Sequence, residues 1–165
     1  GLWHRLFSEE TISKVRRLLP QEDPVFCHND TYHGNIMKLD SGGEIKLLDF
    51  EFSCLNHRAF DFSNLFAETV LKHGEKDYPY FRIAQPEYSD HEIAVLIDAY
   101  LDHDEFSTSG ERDRAFELLL ENTKSLIVLS HYMYSMAALT LALQPIQKLR
   151  FLPYALERFS RFLES

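Results

Sequence analysis

The sequence predicts a mainly helical α+β fold with one small β-hairpin, and three observations support this prediction. Apolar residues recur at helical spacing over most of the chain after residue 60. Short β-type segments are confined to the first third of the chain, where Asp40-Ser41-Gly42-Gly43 is a strong hairpin-turn signal. The composition is 45% apolar and 13% aromatic, which is sufficient for a folded core and excludes a disordered chain.

The individual elements follow in chain order. A short amphipathic helix is predicted at 9–19, where Pro20 ends it. Three strands come next, at Val25–His28, Asn35–Leu39 and Glu44–Phe50. The later helices are predicted at 61–73, 89–102, 111–143 (with a bend) and 153–164, and a loop is predicted at 74–88. Because the sequence contains no internal repeat and no Gly/Ser-rich linker, residues 1–165 are predicted to form a single domain.

Charge is distributed unevenly along the chain. The formal net charge is −9, and the section 21–144 carries twenty-two acidic residues against nine basic ones. An acidic body of this kind repels phosphodiester backbones, so we expect no nucleic-acid partner. It suits a cationic substrate or a divalent metal, although a solvated acidic surface alone would give the same count.

Cysteine content indicates the cellular compartment, and hydropathy indicates whether a segment could cross a membrane. Cys27 and Cys54 are too few for a disulfide framework and lack metal-site spacing, which favours a reducing, cytoplasmic environment. Residues 125–147 contain no Asp, Glu, Lys or Arg, but polar residues and Pro145 interrupt the stretch. We therefore expect a buried core helix there and no membrane span.

The densest set of polar residues surrounds the predicted hairpin. Asp30 and Asn35 flank a tight turn at Gly34, and Asp49 ends the next strand. Two paired strands would bring Asn35 and Asp49 to one end of the hairpin, near the loop that carries Asp30. Carboxylate and amide oxygens suit Mg²⁺, and a free carboxylate can act as a base. The set is typical of phosphoryl transfer, in which the protein supplies positioning and charge neutralisation.

Two resemblances sharpen this interpretation. The order H-x-D-x4-N followed by D-F is similar to the catalytic loop and metal-binding segment of protein-kinase-like enzymes, although Asp30 and Asn35 alone would also fit a capped turn. A wider set of residues extends this motif: Phe26-Cys27-His28-Asn29-Asp30, Asp49-Phe50-Glu51, Asn56, Phe60-Asp61, Asn64 and Glu68. Together they resemble the choline/ethanolamine kinase family, densely over 25–68 and more loosely over 69–165. The family has Tyr where this chain has Phe52.

This resemblance implies the C-terminal lobe of a protein-kinase-like fold, with the β-hairpin at the catalytic site. It implies that Asp30 is the catalytic base, that Asn35 and Asp49 are Mg²⁺ ligands, and that ATP is the co-substrate. Glu68 would face the substrate cation, with an exposed helix acid as the alternative. The residues implied to support the site structurally are His28, Asn29, Glu51, Asn56, Asp61 and Asn64. The spacing of Asp61, Asn64 and Glu68 predicts that they share one helix face.

The chain departs from the family at the acceptor site. The family carries S-H-x-x-W-x-x-W on a late helix, and the Trp faces help to bind a quaternary ammonium. Ser130 and His131 align with it, but the Trp positions are Tyr134 and Ala137. Tyr134 and Tyr154 remain candidate substrate contacts, with core packing as the alternative. Since a cation–π contact contributes roughly 0.5–2 kcal/mol, the change weakens the case for choline more than for ethanolamine.

The resemblance also implies a second lobe. Family members carry an N-terminal lobe with a phosphate-covering loop and a nucleotide-binding lysine, whereas none of the six glycines here forms a Gly-rich loop. We therefore expect the N-terminal lobe of the same protein to be absent from residues 1–165, to act as their partner, and to be required for turnover. A homodimer is a further expectation from the family.

The expected activity is ATP-dependent phosphorylation of the hydroxyl of choline or ethanolamine, a small amino alcohol, as the first step toward the corresponding phospholipids. A kinase of another amino alcohol or an aminoglycoside is the second interpretation. A catalytically silent binding module is the third, but such a module would usually have lost Asp30 or Asp49, and both are present.

Overall fold

The computed structural model describes residues 2–40, 42–84, 86, 88–143 and 148–165. The helices in these ranges are α1 (Leu2–Leu6), α2 (Glu9–Leu18), α3 (Ala59–Thr69), α4 (Asp90–Leu101), α5 (Ser109–Ala142) and α6 (Lys148–Glu164). The strands are β1 (Val25–Cys27), β2 (Ile36–Lys38), β3 (Ile45–Leu47), β4 (Cys54–Asn56), β5 (Leu71–His73) and β6 (Phe81–Ile83). The fold is therefore mainly helical with small sheets, as predicted.

The hairpin lies where the turn signal predicted it, with shorter strands. β2 and β3 pair antiparallel with Ile36 opposite Leu47, while Asn35 belongs to a 3₁₀ turn and Asp49 lies two residues beyond β3. Gly42 and Gly43 have φ values of 92° and 71°, which a side chain would disfavour. Ser41 of the predicted turn lies outside the described residues.

Two strand pairs depart from the expectations. β1 pairs antiparallel with β4, a strand that the sequence analysis missed. The prediction of a helix over 61–73 followed by a loop was wrong in two places: the helix stops at Thr69 and its predicted last turn is β5, while β6 lies inside the supposed loop and pairs with β5. Each of these strands has only three residues, which is too short to show the alternating pattern that identifies a strand. Gln85 and Glu87 of that segment lie outside the described residues.

Helix α5 is the centre of the helical body. It packs along α3 and α6 and also contacts α2 and α4. Leu119 and Leu126 of α5 join Phe60 of α3 and Ile97 of α4 in one apolar cluster. By length and composition alone α5 could cross a membrane, but these contacts make it the core helix that the sequence predicted.

Candidate active site

The hairpin brings two of the predicted metal ligands together. The Leu48 amide donates to the Asn35 carbonyl at 2.9 Å, so Asp49 follows directly after the residue bonded to Asn35. Asn35 is buried, whereas Asp49 is exposed and has a left-handed φ of 62°. The hairpin therefore brings the backbones of Asn35 and Asp49 to the same end.

The donor set fits a magnesium ion that shares its coordination with phosphate. Asn35 Nδ2 donates to the Asp30 carbonyl at 2.9 Å and to Asp30 Oδ2 at 2.8 Å. Both bonds use the amide nitrogen, which leaves Asn35 Oδ1 as the acceptor atom available to a cation. No group of three His, Cys, Asp or Glu in the described ranges could enclose a metal by itself. Mg²⁺ commonly takes only one or two protein ligands and fills its shell with phosphate and water oxygens.

Residues 28–35, here called the Asp30 loop, are tied to α3 through one carboxylate. Asp61 accepts the backbone N–H of His28 at 2.8 Å and that of Asn29 at 2.7 Å. Asn29 has a left-handed φ of 65°, and its side chain donates to the Phe52 carbonyl at 3.0 Å and accepts from Asn56 Nδ2 at 2.8 Å. These bonds hold the loop backbone from both sides.

His28 connects the Asp30 loop to the hairpin. Its ring is buried, its Nε2 lies 2.8 Å from the Leu48 carbonyl, and the Asp30 amide donates to its Nδ1 at 3.2 Å. The amide needs an acceptor and the carbonyl needs a donor, so the bonds define a neutral ring protonated at Nε2. This geometry agrees with a supporting role.

Asp30 lies at the edge of a cavity of about 350 Å³. The cavity is also lined by Glu68 from α3, by Tyr134 and Ala137 from α5, and by Tyr154 from α6. Tyr134 Oη donates to Asp30 Oδ1 at 2.9 Å, so α5 is connected directly to the Asp30 loop. Burial, followed by the negative charges of Asp30 and Glu68, raises the pKa of Tyr134 well above its usual value, which keeps this donor protonated.

Glu68, which lines the cavity, forms an ion pair that the sequence analysis missed. Arg158 of α6 is fully buried and donates from Nη2 to Glu68 Oε1. Its guanidinium also lies 5.0 Å from the Tyr134 ring centroid and 5.4 Å from the Tyr154 ring centroid. Glu68, Tyr134, Ala137, Tyr154 and Arg158 are here called the acceptor wall.

This ion pair changes the electrostatics expected of Glu68. Glu68 lines the cavity and is buried, so it is not the exposed helix acid of the alternative, but an internal cation already neutralises its carboxylate. His131 Nδ1 lies 3.1 Å from Arg158 Nη1. Burial first, and then the charges of Arg158 and Arg161, lower the pKa of His131 from 6.5 to about 3, so the ring is neutral. The spacing of four residues between Tyr154 and Arg158 could have placed both on one helix face.

The remaining predicted residues occupy different environments. Asp61, Asn64 and Glu68 do share one face of α3: Asn64 is fully buried, Glu68 is buried, and Asp61 reaches the Asp30 loop. Glu51 is exposed at the segment after Asp49.

The mainly helical fold, with its small hairpin beside the Asp30 loop, is that of the C-terminal lobe of a protein-kinase-like fold. Residues 7–163 match the family model described as choline/ethanolamine kinase. The choline/ethanolamine kinase of Rattus norvegicus is 31% identical over 147 residues, which cover 85% of this chain and 37% of the relative. That of Mus musculus is 30% identical over 166 residues, which cover 94% of this chain and 42% of the relative. The chain belongs to the choline/ethanolamine kinase family.

Solved structures show the same fold. Choline kinase from Cryptosporidium parvum superposes with a TM-score of 0.68 at 22% sequence identity, covering 96% of this chain and 42% of that chain. An ethanolamine kinase of Plasmodium vivax gives a TM-score of 0.64 at 23% identity, covering 93% and 37% respectively. The chain therefore spans about two fifths of the length of the relatives that it matches.

Proposed function

We propose that this chain carries the catalytic and acceptor-binding part of a kinase that transfers phosphate from ATP to the hydroxyl of choline or ethanolamine. The product would be phosphocholine or phosphoethanolamine, precursors of phospholipid headgroups. The observation that carries the proposal is the position of Asp30, whose carboxylate lies at the edge of the cavity with a donor on each oxygen. Family membership supports the reaction class.

Asp30 acts as the base. Tyr134 Oη holds its Oδ1 and Asn35 Nδ2 holds its Oδ2, so the carboxylate plane is fixed before the acceptor binds. A hydroxyl bound beside this carboxylate would donate its hydrogen bond to Asp30 and lose its proton to it as the new oxygen–phosphorus bond forms, while the bond between the γ-phosphorus and the bridging oxygen of ATP breaks and ADP leaves. Fixing the base in advance lowers the entropic cost of reaching the reactive geometry.

The hairpin end holds the metal. Asn35 Oδ1 and the Asp49 carboxylate are the oxygens that would bind Mg²⁺, with Asp49 accessible from solvent. When bound, the ion neutralises the negative charge of the triphosphate. Asn35 would therefore have two functions, because its nitrogen orients Asp30 and its oxygen would bind the cation.

The acceptor wall receives the amino group. Tyr134 and Tyr154 offer aromatic faces, and Asp30 offers negative charge that Arg158 does not neutralise. Ala137 contributes no aromatic face, so ethanolamine, which relies on charge and hydrogen bonds, fits this wall better than choline does.

The remaining parts of the enzyme lie elsewhere in the gene product. We assign ATP binding to the cleft between this lobe and an N-terminal lobe of the same protein. We place the enzyme in the cytoplasm, with a homodimer as its assembly. Phe26 and Leu55, opposite each other on β1 and β4, are 68% and 69% exposed, so an apolar face is available for such contacts.

The test is a kinase assay on the complete gene product that contains this chain, with Mg²⁺, ATP and either choline or ethanolamine. We expect Asp30→Asn to lower kcat by about 10²–10⁴-fold with little change in folding. Asp98→Asn, on the exposed face of α4, serves as the matched control and should retain wild-type activity. Phosphorylation that survives Asp30→Asn would contradict the assignment of the base, and a folded wild type inactive on both amines would contradict the proposed substrates.

A further inference from the structure

A second cavity lies beside the one described above. It measures about 240 Å³ and is lined by Asn29, Phe52, Cys54, Asn56, Phe60, Met133, Tyr134 and Ala137. Phe52, Tyr134 and Ala137 line both cavities, so the two spaces share a boundary. We call the second cavity the recess.

Two of the three residues that line both cavities lie on one face of α5. Tyr134 and Ala137 are three residues apart on α5 and so lie on the same helix face. Met133 lines the recess, whereas Ala138 and Leu141 line the first cavity, so this face of α5 separates the two spaces. Ala137, whose side chain is a single methyl group, lines both cavities.

The recess is chemically apolar. Its lining contains no charged side chain among the described residues, and five of the lining side chains are Phe52, Cys54, Phe60, Met133 and Ala137. Its two amides already have partners. Asn29 donates to the Phe52 carbonyl and accepts from Asn56 Nδ2, and Asn56 Oδ1 accepts from the His57 amide at 2.9 Å. A group that enters the recess therefore encounters apolar surface and no polar atom that needs a partner.

The recess is also next to the reacting end of the first cavity. Tyr134 Oη is 2.9 Å from Asp30 Oδ1, and the nitrogen of an ethanolamine is only two carbons from its hydroxyl. With the hydroxyl at Asp30, the nitrogen lies beside Tyr134 at the boundary. A substituent on that nitrogen can pass over Ala137.

We propose that the acceptor is an amino alcohol with an apolar substituent on nitrogen that is larger than methyl, such as an alkyl chain of three to five carbons or a benzyl group, and that the recess binds this substituent. The proposal rests on the proposed function, because it requires the acceptor hydroxyl to lie at Asp30. In this proposal Ala137 determines whether the site accepts large amines, since a longer side chain at that position would block access from the first cavity to the recess.

The test compares ethanolamine, choline, N-propylethanolamine, N-butylethanolamine and N-benzylethanolamine with the complete gene product. Each buried CH₂ contributes about 0.8 kcal/mol, or roughly a factor of four, and part of the chain remains exposed. We expect kcat/KM for N-butylethanolamine to exceed that for ethanolamine by about tenfold. Ala137→Leu should reduce this preference to about one, whereas Thr140→Leu, an equally apolar addition on an exposed part of α5, should leave it unchanged.

The wild-type series decides the matter even if Ala137→Leu fails to fold. If kcat/KM falls steadily as the substituent grows while ethanolamine or choline is still phosphorylated, the recess does not bind the substituent. The proposed function is then unaffected. If no amine is phosphorylated, the proposed function fails and calorimetry decides the recess. Tighter binding of N-butylethanolamine than of ethanolamine supports the recess, and equal or weaker binding overturns it.

Discussion

The Asp30 loop and the acceptor wall meet at the hydrogen bond between Tyr134 and Asp30, but different forces stabilise them. In the loop, backbone groups and short polar side chains bond to one another and to Asp61. In the wall, the polar contact is an ion pair between Glu68 and Arg158, surrounded by aromatic rings. The loop is built largely from residues close in sequence, whereas the wall joins α3, α5 and α6.

The difference indicates how the two regions can vary. A hydrogen-bonded loop has few tolerated substitutions, because each lost acceptor leaves a backbone N–H unsatisfied. A wall made of side chains from packed helices tolerates changes in size, as Ala137 illustrates. We infer that the chemistry resides in the rigid region and acceptor choice in the adaptable one.

Removing the carboxylate of Asp61 should have the largest effect. Asp61→Ala leaves the N–H groups of His28 and Asn29 without their acceptor, and each hydrogen bond to a charged group contributes about 1.5–3 kcal/mol. We expect the free energy of unfolding to fall by roughly 3–6 kcal/mol and kcat to fall at least about 100-fold, because the base is displaced. Urea denaturation measures the free energy of unfolding, and the kinase assay measures kcat.

The matched control is Asp98→Ala. Asp98 pairs with Arg112 at 2.9 Å on the protein surface, where such pairs contribute little. Its stability should change by less than about 1 kcal/mol and its activity should be unaffected. Equal losses in the two variants would mean that Asp61 does not organise the loop.

Breaking the ion pair of the wall should have the next largest effect. Arg158→Met leaves the buried Glu68 carboxylate without its cation, which typically costs about 3–5 kcal/mol of stability. The double variant Arg158→Met with Glu68→Gln removes the charge as well and should recover part of the loss. Thermal and urea unfolding of Arg158→Met, of Glu68→Gln and of the double variant measure the coupling. Strictly additive losses would show that the two side chains do not stabilise each other.

These two sites also show what the sequence could and could not predict. The grouping of Asp30, Asn35 and Asp49 was predicted from their spacing and from the hairpin turn, whereas Asp61 and Glu68 were added to the site by the family resemblance. Arg158 was missed because a charged residue on an amphipathic helix usually lies on the solvated face. Only the packing of α6 against α3 and α5 buries it.

The secondary-structure predictions were likewise accurate for long helices and failed for short strands. The boundaries of α4 and α5 agree with the prediction within two residues, because Ser89 and Thr108 cap them and long apolar patterns continue behind the caps. β4, β5 and β6 were missed because three residues carry too little pattern and their partners are 8 to 31 residues away. Pro153 did not start the last helix: α6 begins at Lys148 and includes it.

The neutral state of His131 predicts a pH effect of intermediate size. Its pKa is about 3 in the folded chain and 6.5 when unperturbed, so between these values the unfolded state binds more protons. Stability must therefore fall as the pH decreases from 6.5, by about 2 kcal/mol at pH 5. His131→Gln can still accept from Arg158 and does not titrate, so its stability should depend less on pH. If the free energy of unfolding changes with pH equally in the wild type and in His131→Gln, the low pKa of His131 is contradicted.

Ser89 gives the smallest predicted effect and tests a part of the molecule outside both regions. Ser89 caps α4 by accepting from the Glu92 amide at 3.3 Å, while Glu92 Oε2 accepts from the Ser89 amide at 2.7 Å. Ser89→Ala removes half of this capping box and should cost about 1 kcal/mol of stability. The kinase assay should show no change for any amine, because α4 contributes no residue to either cavity. A change in acceptor preference would mean that the wall depends on the helical body as a whole, and its adaptability could then no longer be assigned to Ala137 and its neighbours.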